Sequence, residues 1–268
     1  MSATVHPTAV VAPGAVLGDG VEIGPYCVLG DQVSVGPATR LVSHVVVSGP
    51  AVIGARNLVH PFAVLGAPPQ DRSYAGEPTS VELGNDNVIR EHATIHRGTV
   101  RGGGLTRVGD GNLLMVGVHV AHDVHLGDRV TLTNGTLLAG HVRIGSYVVT
   151  GGHAAIAPFV HVGESAFVAG GAMVERDVPP YMIAAGDRAR VRAINRVGLA
   201  RRGVPSESCA AIKRAFKLLY LNGQPRSVAL EQVHAELGED PWVARLVAFI
   251  RESLKDPSPS ARHPAARK

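Results

Sequence analysis

A β-solenoid built from hexapeptide steps, closed by an α-helical segment, is the fold class that the sequence predicts. Three observations predict it. An aliphatic residue followed by glycine recurs at fixed short steps, aromatic residues are scarce, and charge and histidine content change near residue 186. Gly18, Gly24, Gly30 and Gly36 are six apart, while Gly109, Gly127, Gly145 and Gly163 are eighteen apart, three sixes. A period of six with one aliphatic per period fits neither a helix nor a simple amphipathic strand. It fits a prism. Each hexapeptide gives a short strand and a turn, three make one coil, and the aliphatic points into the shaft. Coils of this kind stack at roughly 4.8 Å through parallel strand hydrogen bonds.

The composition agrees. Of 268 residues, 45% are hydrophobic and 18% charged, which excludes a disordered tail or a coiled coil. With 32 Gly against five Phe, five Tyr and one Trp, the core must be filled by Val, Ile, Leu and Ala in small repeated steps. No apolar run is long enough for a transmembrane segment. The opening MSATVHPTAV lacks the basic and apolar regions of a signal peptide. Cys27 and Cys209, far apart and outside any CxxC, exclude a disulfide framework and a cysteine zinc site. A cytoplasmic enzyme is the expectation.

Taken in order, residues 1–186 read as the shaft, with glycine near each turn supplying either a positive φ or room for close backbone approach. Two stretches cannot continue a coil. After Gly66 comes APPQDRSYAGEPTSVE, a loop at about 67–80, and RGGG at 101–104 absorbs the surplus in the 25-residue interval from Gly84 to Gly109. Long loops on a rigid scaffold carry function. Residues 187–256 form the expected helical domain. ARVRAINRVGLARRG, from about Ala189, has apolar residues at helical spacing and stops at Gly203. Ser206, read as an N-cap, opens a second helix that stops at Gly223, and two more amphipathic runs lie around Val228–Leu237 and Trp242–Leu254. Residues 257–268 read as a flexible tail.

Charge divides at the same boundary. Residues 1–185 carry a net −4 and 11 of the 13 histidines, whereas residues 186–268 carry a net +8. His92, His96, His119, His122, His125 and His141 fall within fifty residues. Three readings compete: solvated surface histidines, a zinc site shared between subunits as in carbonic anhydrases on such solenoids, and a general base with polar neighbours. The context HVAHDVH favours the base. A neutral imidazole is available near neutral pH, and Asp123 could hold the His122 tautomer if the backbone turns there, although neighbouring side chains on a strand diverge. Gly140 lies eighteen residues after His122, so one coil later its N–H could meet a developing oxyanion in the same column, with His141 over Asp123. No G-x-S-x-G elbow is present and neither cysteine has a histidine nearby in sequence, so direct attack by an acceptor hydroxyl is the simplest mechanism.

The repeat resembles that of the hexapeptide acyltransferases, and nine strings narrow the resemblance. HPTA at His6, SHVVV at Ser43, PQD with YAGEPT from Pro69 and TIHRGT at Thr94 are followed by GGGLTRVGDGNLLM from Gly102. HVAHD at His119, LAGHV at Leu138, DVPPY at Asp177 and LARRG at Leu199 complete the order. Together they are similar to the UDP-N-acetylglucosamine O-acyltransferase family that begins lipid A biosynthesis, over nearly the whole chain. The resemblance implies a left-handed parallel β-helix, a homotrimer with clefts between subunits, and no cofactor beyond the phosphopantetheine of acyl carrier protein. It implies transfer of an (R)-3-hydroxyacyl group from acyl carrier protein to the glucosamine 3-hydroxyl of UDP-GlcNAc. The family's general base falls on His122, with Asp123 beside it, and its oxyanion glycine on Gly140. Substrate-binding positions fall on Gln70, Asp71, His96, His119, His141, Asn195, Arg201 and Arg202, and a glycine near the acyl-tail pocket on Gly170. No metal is implied.

One departure bears on the acceptor. Many members carry His-Gln before Phe where this chain has Ala157-Pro158, which offers no polar side chain to a nucleotide. Another group holds the nucleotide, or the acceptor is a 3-amino sugar nucleotide. The basic C-terminal segment suits an acidic carrier protein, with Lys213, Arg214 and Lys217 on one helix as docking candidates. Nucleic acid is not expected, because stacking aromatics are not interleaved with the charge. The rivals are a zinc-dependent carbonic anhydrase, an acetyl-CoA-dependent acetyltransferase and a non-catalytic scaffold.

Overall fold

The computed structural model describes residues 2–255. Twenty-eight short strands form three sheets of eleven, nine and eight, here sheets A, B and C. Each strand of a coil pairs in parallel with the strand one coil away, and the register is set by the repeat: His119 pairs with Leu137, Leu137 with Ala155 and Ala155 with Met173. Within a typical two-residue strand the second residue is buried and the first faces out. Ile89, Leu114, Leu132, Leu138 and Ile156 thereby stack inside the shaft, all under 3% exposed. Burial of each such side chain contributes about 1.5–3 kcal/mol. Asn57, Asn87 and Asn112 run through the same interior, each Oδ1 accepting a backbone N–H from the next coil, at 2.7–2.8 Å.

Of the two expectations for the glycines, close approach operates at most aliphatic-Gly steps, whereas Gly66 has a φ of 73° and a Cβ at Gly30 would clear its neighbours by 3.6 Å. A Cβ at Gly24 would lie 1.8 Å from the Val42 carbonyl oxygen, and one at Gly54 would lie 2.4 Å from that of Gly84. Neither glycine has a positive φ. The left-handed turn position falls instead on Tyr26, His44, Phe62 and His92 in one column, and on Asp123, His141 and Phe159 in another. The first column forms a ring stack with centroids 4.9–5.1 Å apart.

The two predicted interruptions are present. The chain leaves the shaft after Val64–Ala67 and returns at Ser80–Leu83, and RGGG forms a 3-10 turn at Val100–Gly102. The helix expected from about Ala189 is corrected. Met182–Ala185 turns back into Arg190–Ile194 as an antiparallel hairpin that ends sheet A. The edge of sheet A offers hydrogen bonds that outweigh the helical spacing, so the boundary expected at 186 falls inside this hairpin. Helix begins only at α1 (Arg196–Arg201), followed by α2 (Ser206–Tyr220), α3 (Arg226–Leu237) and α4 (Pro241–Lys255). Ser206 is the first residue of α2 and not its cap, a place taken by Pro205 without a side-chain hydrogen bond. Gly203 and Gly223 have φ of 66° and 71°, as helix stops require.

Helices α2, α3 and α4 bury Ile212, Leu230, Val233, Leu246 and Ile250 among themselves. They join the shaft through Glu164, which accepts from Arg202, Arg245 and the Tyr181 hydroxyl at 2.5–2.9 Å. Among the described residues no helix is long and apolar enough to cross a membrane. The tail expected at 257–268 lies outside the described residues.

Candidate active site on the outer face of sheet B

His122 and Asp123 occupy the turn that links sheet B to sheet C. Asp123 has a φ of 61°, and this left-handed turn brings two adjacent side chains together. His122 Nδ1 lies 2.8 Å from Asp123 Oδ2. A carboxylate only accepts, so Nδ1 carries the proton and the Nε2 lone pair is left to act as a base. Asp123 is buried, with its side chain 1% exposed. Burial works to raise its pKa, but hydrogen bonds from His122 and from the Thr99 hydroxyl and N–H outweigh it and hold the carboxyl below its usual value. His141 adds a weaker contact, Nε2 to Asp123 Oδ2 at 3.7 Å, and its ring stands edge-on to His122. Burial lowers the His141 pKa. Ligand atoms of His122, Asp123 and His141 lie within 4.8 Å of one another, with His122 Nδ1 already committed to Asp123.

Gly140 lies against the His122 ring, as the eighteen-residue offset requires. A Cβ there would fall 2.4 Å from His122 Cε1. Gly140 is buried, and its N–H donates to no protein acceptor among the described residues. His122, Gly140, His119 and Gln70 line a groove of about 480 Å³ whose remaining walls are largely apolar, including Leu137, Ala155, Ile156, Ala157 and Met173. Its far end is closed by Glu175 and Asp187. Imidazole, a spare N–H and an aliphatic trough therefore share one surface.

The loop after Ala67 supplies the groove's roof. Gln70 lines it, and the neighbouring Asp71 is held below its usual pKa by the Ser73 N–H and hydroxyl, with a smaller contribution from His122. Arg97 fastens this loop to the shaft, donating to the Gly49 carbonyl and to the Tyr74 hydroxyl. His119 Nδ1 bonds to Thr94 Oγ1 at 2.7 Å, and its ring meets His96 edge-on. Burial and the neighbouring histidines push His96 down to about 4, so it is neutral near pH 7, and its Nδ1 is buried without a partner.

Other expected site residues lie elsewhere in the chain. Asn195, Arg201 and Arg202 line a separate hollow of about 650 Å³ on the outer face of sheet A, with Tyr147 and Phe167. Asn195 caps α1 by accepting from Gly198 N and donates to the Ser165 carbonyl. Arg202 is bound to Glu164 and lies over the rings of Tyr147 and Trp242. Gly170 is exposed on a turn between sheets A and B, beside Gly151 and Gly152. Lys213, Arg214 and Lys217 are exposed on α2, with Arg214 paired to Glu236. His92 belongs to the ring stack, and His125 begins the next strand of sheet C.

Sequence reasoning missed Thr99. Its N–H and hydroxyl donate to Asp123 Oδ1 and Oδ2 at 2.8 and 2.6 Å, and it also caps the 3-10 turn. A Cβ at Gly102 would fall 2.0 Å from the Asp123 carboxyl carbon, so the RGGG turn closes over that carboxylate. The surplus residue in the 25-residue interval was the one available signal.

A family model described as UDP-N-acetylglucosamine O-acyltransferase, domain 2, matches residues 177–257. Solved structures match over the whole fold. LpxA from Acinetobacter baumannii is 39% identical, covering 92% of this chain and 96% of its own, with a TM-score of 0.90. The UDP-N-acetylglucosamine O-acyltransferase of Moraxella catarrhalis is 38% identical over the same shares, also at 0.90. The Arabidopsis UDP-N-acetylglucosamine acyltransferase is 32% identical, covering 94% and 97%, at 0.82.

Proposed function

Given that the chain belongs to the UDP-N-acetylglucosamine O-acyltransferases of lipid A biosynthesis, left-handed parallel β-helix enzymes, we propose the following reaction. An (R)-3-hydroxyacyl group passes from acyl carrier protein to the 3-hydroxyl of UDP-GlcNAc, in the cytoplasm and without a further cofactor. The observation that carries this reading is the His122–Asp123 pair set against a buried, unpartnered Gly140 N–H in an apolar groove.

His122 Nε2 takes the proton of the sugar hydroxyl as its oxygen attacks the thioester carbonyl. The carbonyl oxygen gains charge and receives the Gly140 N–H. Collapse of the tetrahedral species breaks the C–S bond, and the imidazolium returns its proton to the departing carrier thiolate. Asp123 keeps the tautomer and stabilises the imidazolium. The trough beside Leu137, Ala155 and Met173 takes the acyl chain, with Gly170 near its tail, and Gln70, Asp71, His96, His119 and His141 hold the sugar.

A homotrimer completes the site. The outward column of sheet A from Leu58 runs through Val88, Leu113, Thr131, Val149 and Phe167, apolar but for one threonine. That of sheet B reads Val28, Val46, Val64, Thr94, His119, Leu137, Ala155 and Met173, apolar except where Thr94 and His119 enter the site. The corresponding column of sheet C reads Glu82, Arg107, His125, Arg143 and His161. Packing sheet A of one subunit on sheet B of the next covers both apolar faces and leaves sheet C in water. It also sets Asn195, Arg201 and Arg202 of one copy across from His122 of another, to meet the nucleotide. Lys213, Arg214 and Lys217 contribute to carrier docking.

Purified protein given hydroxyacyl carrier protein with UDP-GlcNAc, or with its 3-amino analogue, tests this by mass spectrometry. The expected product is acylated UDP-GlcNAc, with His122→Ala slower by at least ~10²-fold. Near-normal turnover by a folded His122→Ala trimer, or no acylated UDP-GlcNAc from wild type, overturns it. Acylation of the 3-amino analogue alone would move the acceptor, in line with Ala157-Pro158.

A further inference from the structure

The hairpin that ends sheet A and helix α1 with its C-cap carry an unusual charge density. From Asp187 to Arg202 the chain holds Arg188, Arg190, Arg192, Arg196, Arg201 and Arg202 against a single acid, Asp187. Two of the six are engaged by carboxylates: Arg202 by Glu164 at 2.9 Å and Arg188 by Glu175 at 3.8 Å. Among the described residues Arg190 donates only to the carbonyls of Arg188 and Ala189. Arg192 and Arg196 are exposed and have no carboxylate within ion-pair distance among the described residues. Like charges crowded on one strand and the helix after it repel one another and are not offset from within.

The position of this hairpin gives the charge a use. Asp187, at its tip, closes the far end of the groove that holds His122 and Gly140. Asn195 and Arg201, just beyond it, line the hollow on sheet A. The arginines therefore stand on the rim between the two depressions. Helix α2, which carries Lys213 and Lys217, packs against the strand Arg190–Ile194.

We propose that Arg190, Arg192 and Arg196 form the principal docking surface for the acidic protein that delivers the acyl thioester. The proposal rests on the carrier-protein donor put forward above. A partner rich in carboxylates supplies the charge that the hairpin lacks, and guanidinium groups bind carboxylates through paired hydrogen bonds. Docking at the rim leaves the prosthetic arm a path into the groove without blocking it. The hairpin outweighs α2 because Arg190, Arg192 and Arg196 are three cations without a carboxylate partner among the described residues, whereas α2 offers two, Lys213 and Lys217, with Arg214 paired to Glu236.

The test compares wild type with Arg190→Gln/Arg192→Gln and Arg190→Glu/Arg192→Glu. The same hydroxyacyl group is supplied either on the carrier protein or as a short pantetheine thioester. At about 50 mM salt the KM for the carrier should rise ~10-fold or more in the reversal variant, and less in the glutamine variant. At about 300 mM salt the difference should shrink. Turnover number, KM for UDP-GlcNAc and transfer from the pantetheine thioester should stay within about 2-fold. An unchanged carrier KM in the folded variants overturns the proposal. So does an equal loss with both donors, which would tie the arginines to the chemistry. Loss of binding to anionic phospholipid vesicles with an intact carrier KM would assign the surface to a membrane and overturn it as well. Wild-type turnover with the pantetheine thioester but none with the carrier would instead overturn the carrier-protein donor itself.

Discussion

The chemistry proposed for this chain turns on one backbone angle. Adjacent side chains on a strand point to opposite faces, which is why the His-Asp dipeptide looked like a poor pair in the sequence. The left-handed φ of Asp123 reverses that, and nothing in the residue type announces it, since an aspartate and not a glycine sits there. Gly140 behind His122 was legible, because a column offset of eighteen needs only counting. Thr99 was not, because it lies in the one interval where counting fails. Removing its hydroxyl leaves Asp123, which His122 depends on for its orientation, with one donor fewer and a carboxyl held less far below its usual pKa. Thr99→Val should lower kcat by ~10-fold or more. KM for both substrates should hold, and Thr99→Ser should restore the wild-type kcat. His96 supplies a pH effect. Its pKa falls from an ordinary 6.5 to about 4 on folding. Between these values the unfolded chain binds a proton that the folded chain does not. Stability is therefore full above about pH 6.5 and declines, by up to about 3 kcal/mol, as pH falls toward 4. Urea titrations at several pH values should show this slope, flattened in His96→Gln.

At the scale of elements, the strands and coils were readable and the terminal hairpin was not. Aliphatic-Gly steps carry two signals at once, one side chain for the interior and one missing side chain where the next coil passes. Gly24→Ala puts a methyl group 1.8 Å from a backbone oxygen that cannot swing away. It should cost at least ~1–3 kcal/mol in thermal denaturation while leaving the distant groove active. Gly102→Ala is the contrasting case. Its methyl would strike the Asp123 carboxyl group, so kcat should fall with little change in melting temperature. The segment after Ala189 misled because Val191, Ala193 and Ile194 satisfy a helical spacing and an edge strand alike. The free edge at Met182–Ala185 decided between them.

At the scale of the molecule, the division of charge at residue 186 foretold two kinds of surface, and the outward columns of the three sheets refine it. From the coil of Leu58 onward two are mainly apolar and one is charged, an asymmetry invisible until the register assigns each residue a face. Leu137, 49% exposed on sheet B beside the groove, is the residue to test this. Leu137→Asp should dissociate the proposed trimer in sedimentation analysis and abolish transfer, while circular dichroism shows the β-helix intact. A mutant that stays trimeric and active would show that sheet B is not the contact.

The stacking of one coil on the next also limits how such a chain can grow. His122 and Gly140 are consecutive storeys, so a duplicated coil inserted between them would part the proposed base from its proposed oxyanion donor by roughly 4.8 Å. A coil added ahead of Gly18 would disturb neither. Descendants of this sequence are thus free to become taller only from the amino-terminal end, and the floor that carries out the reaction must keep its neighbours.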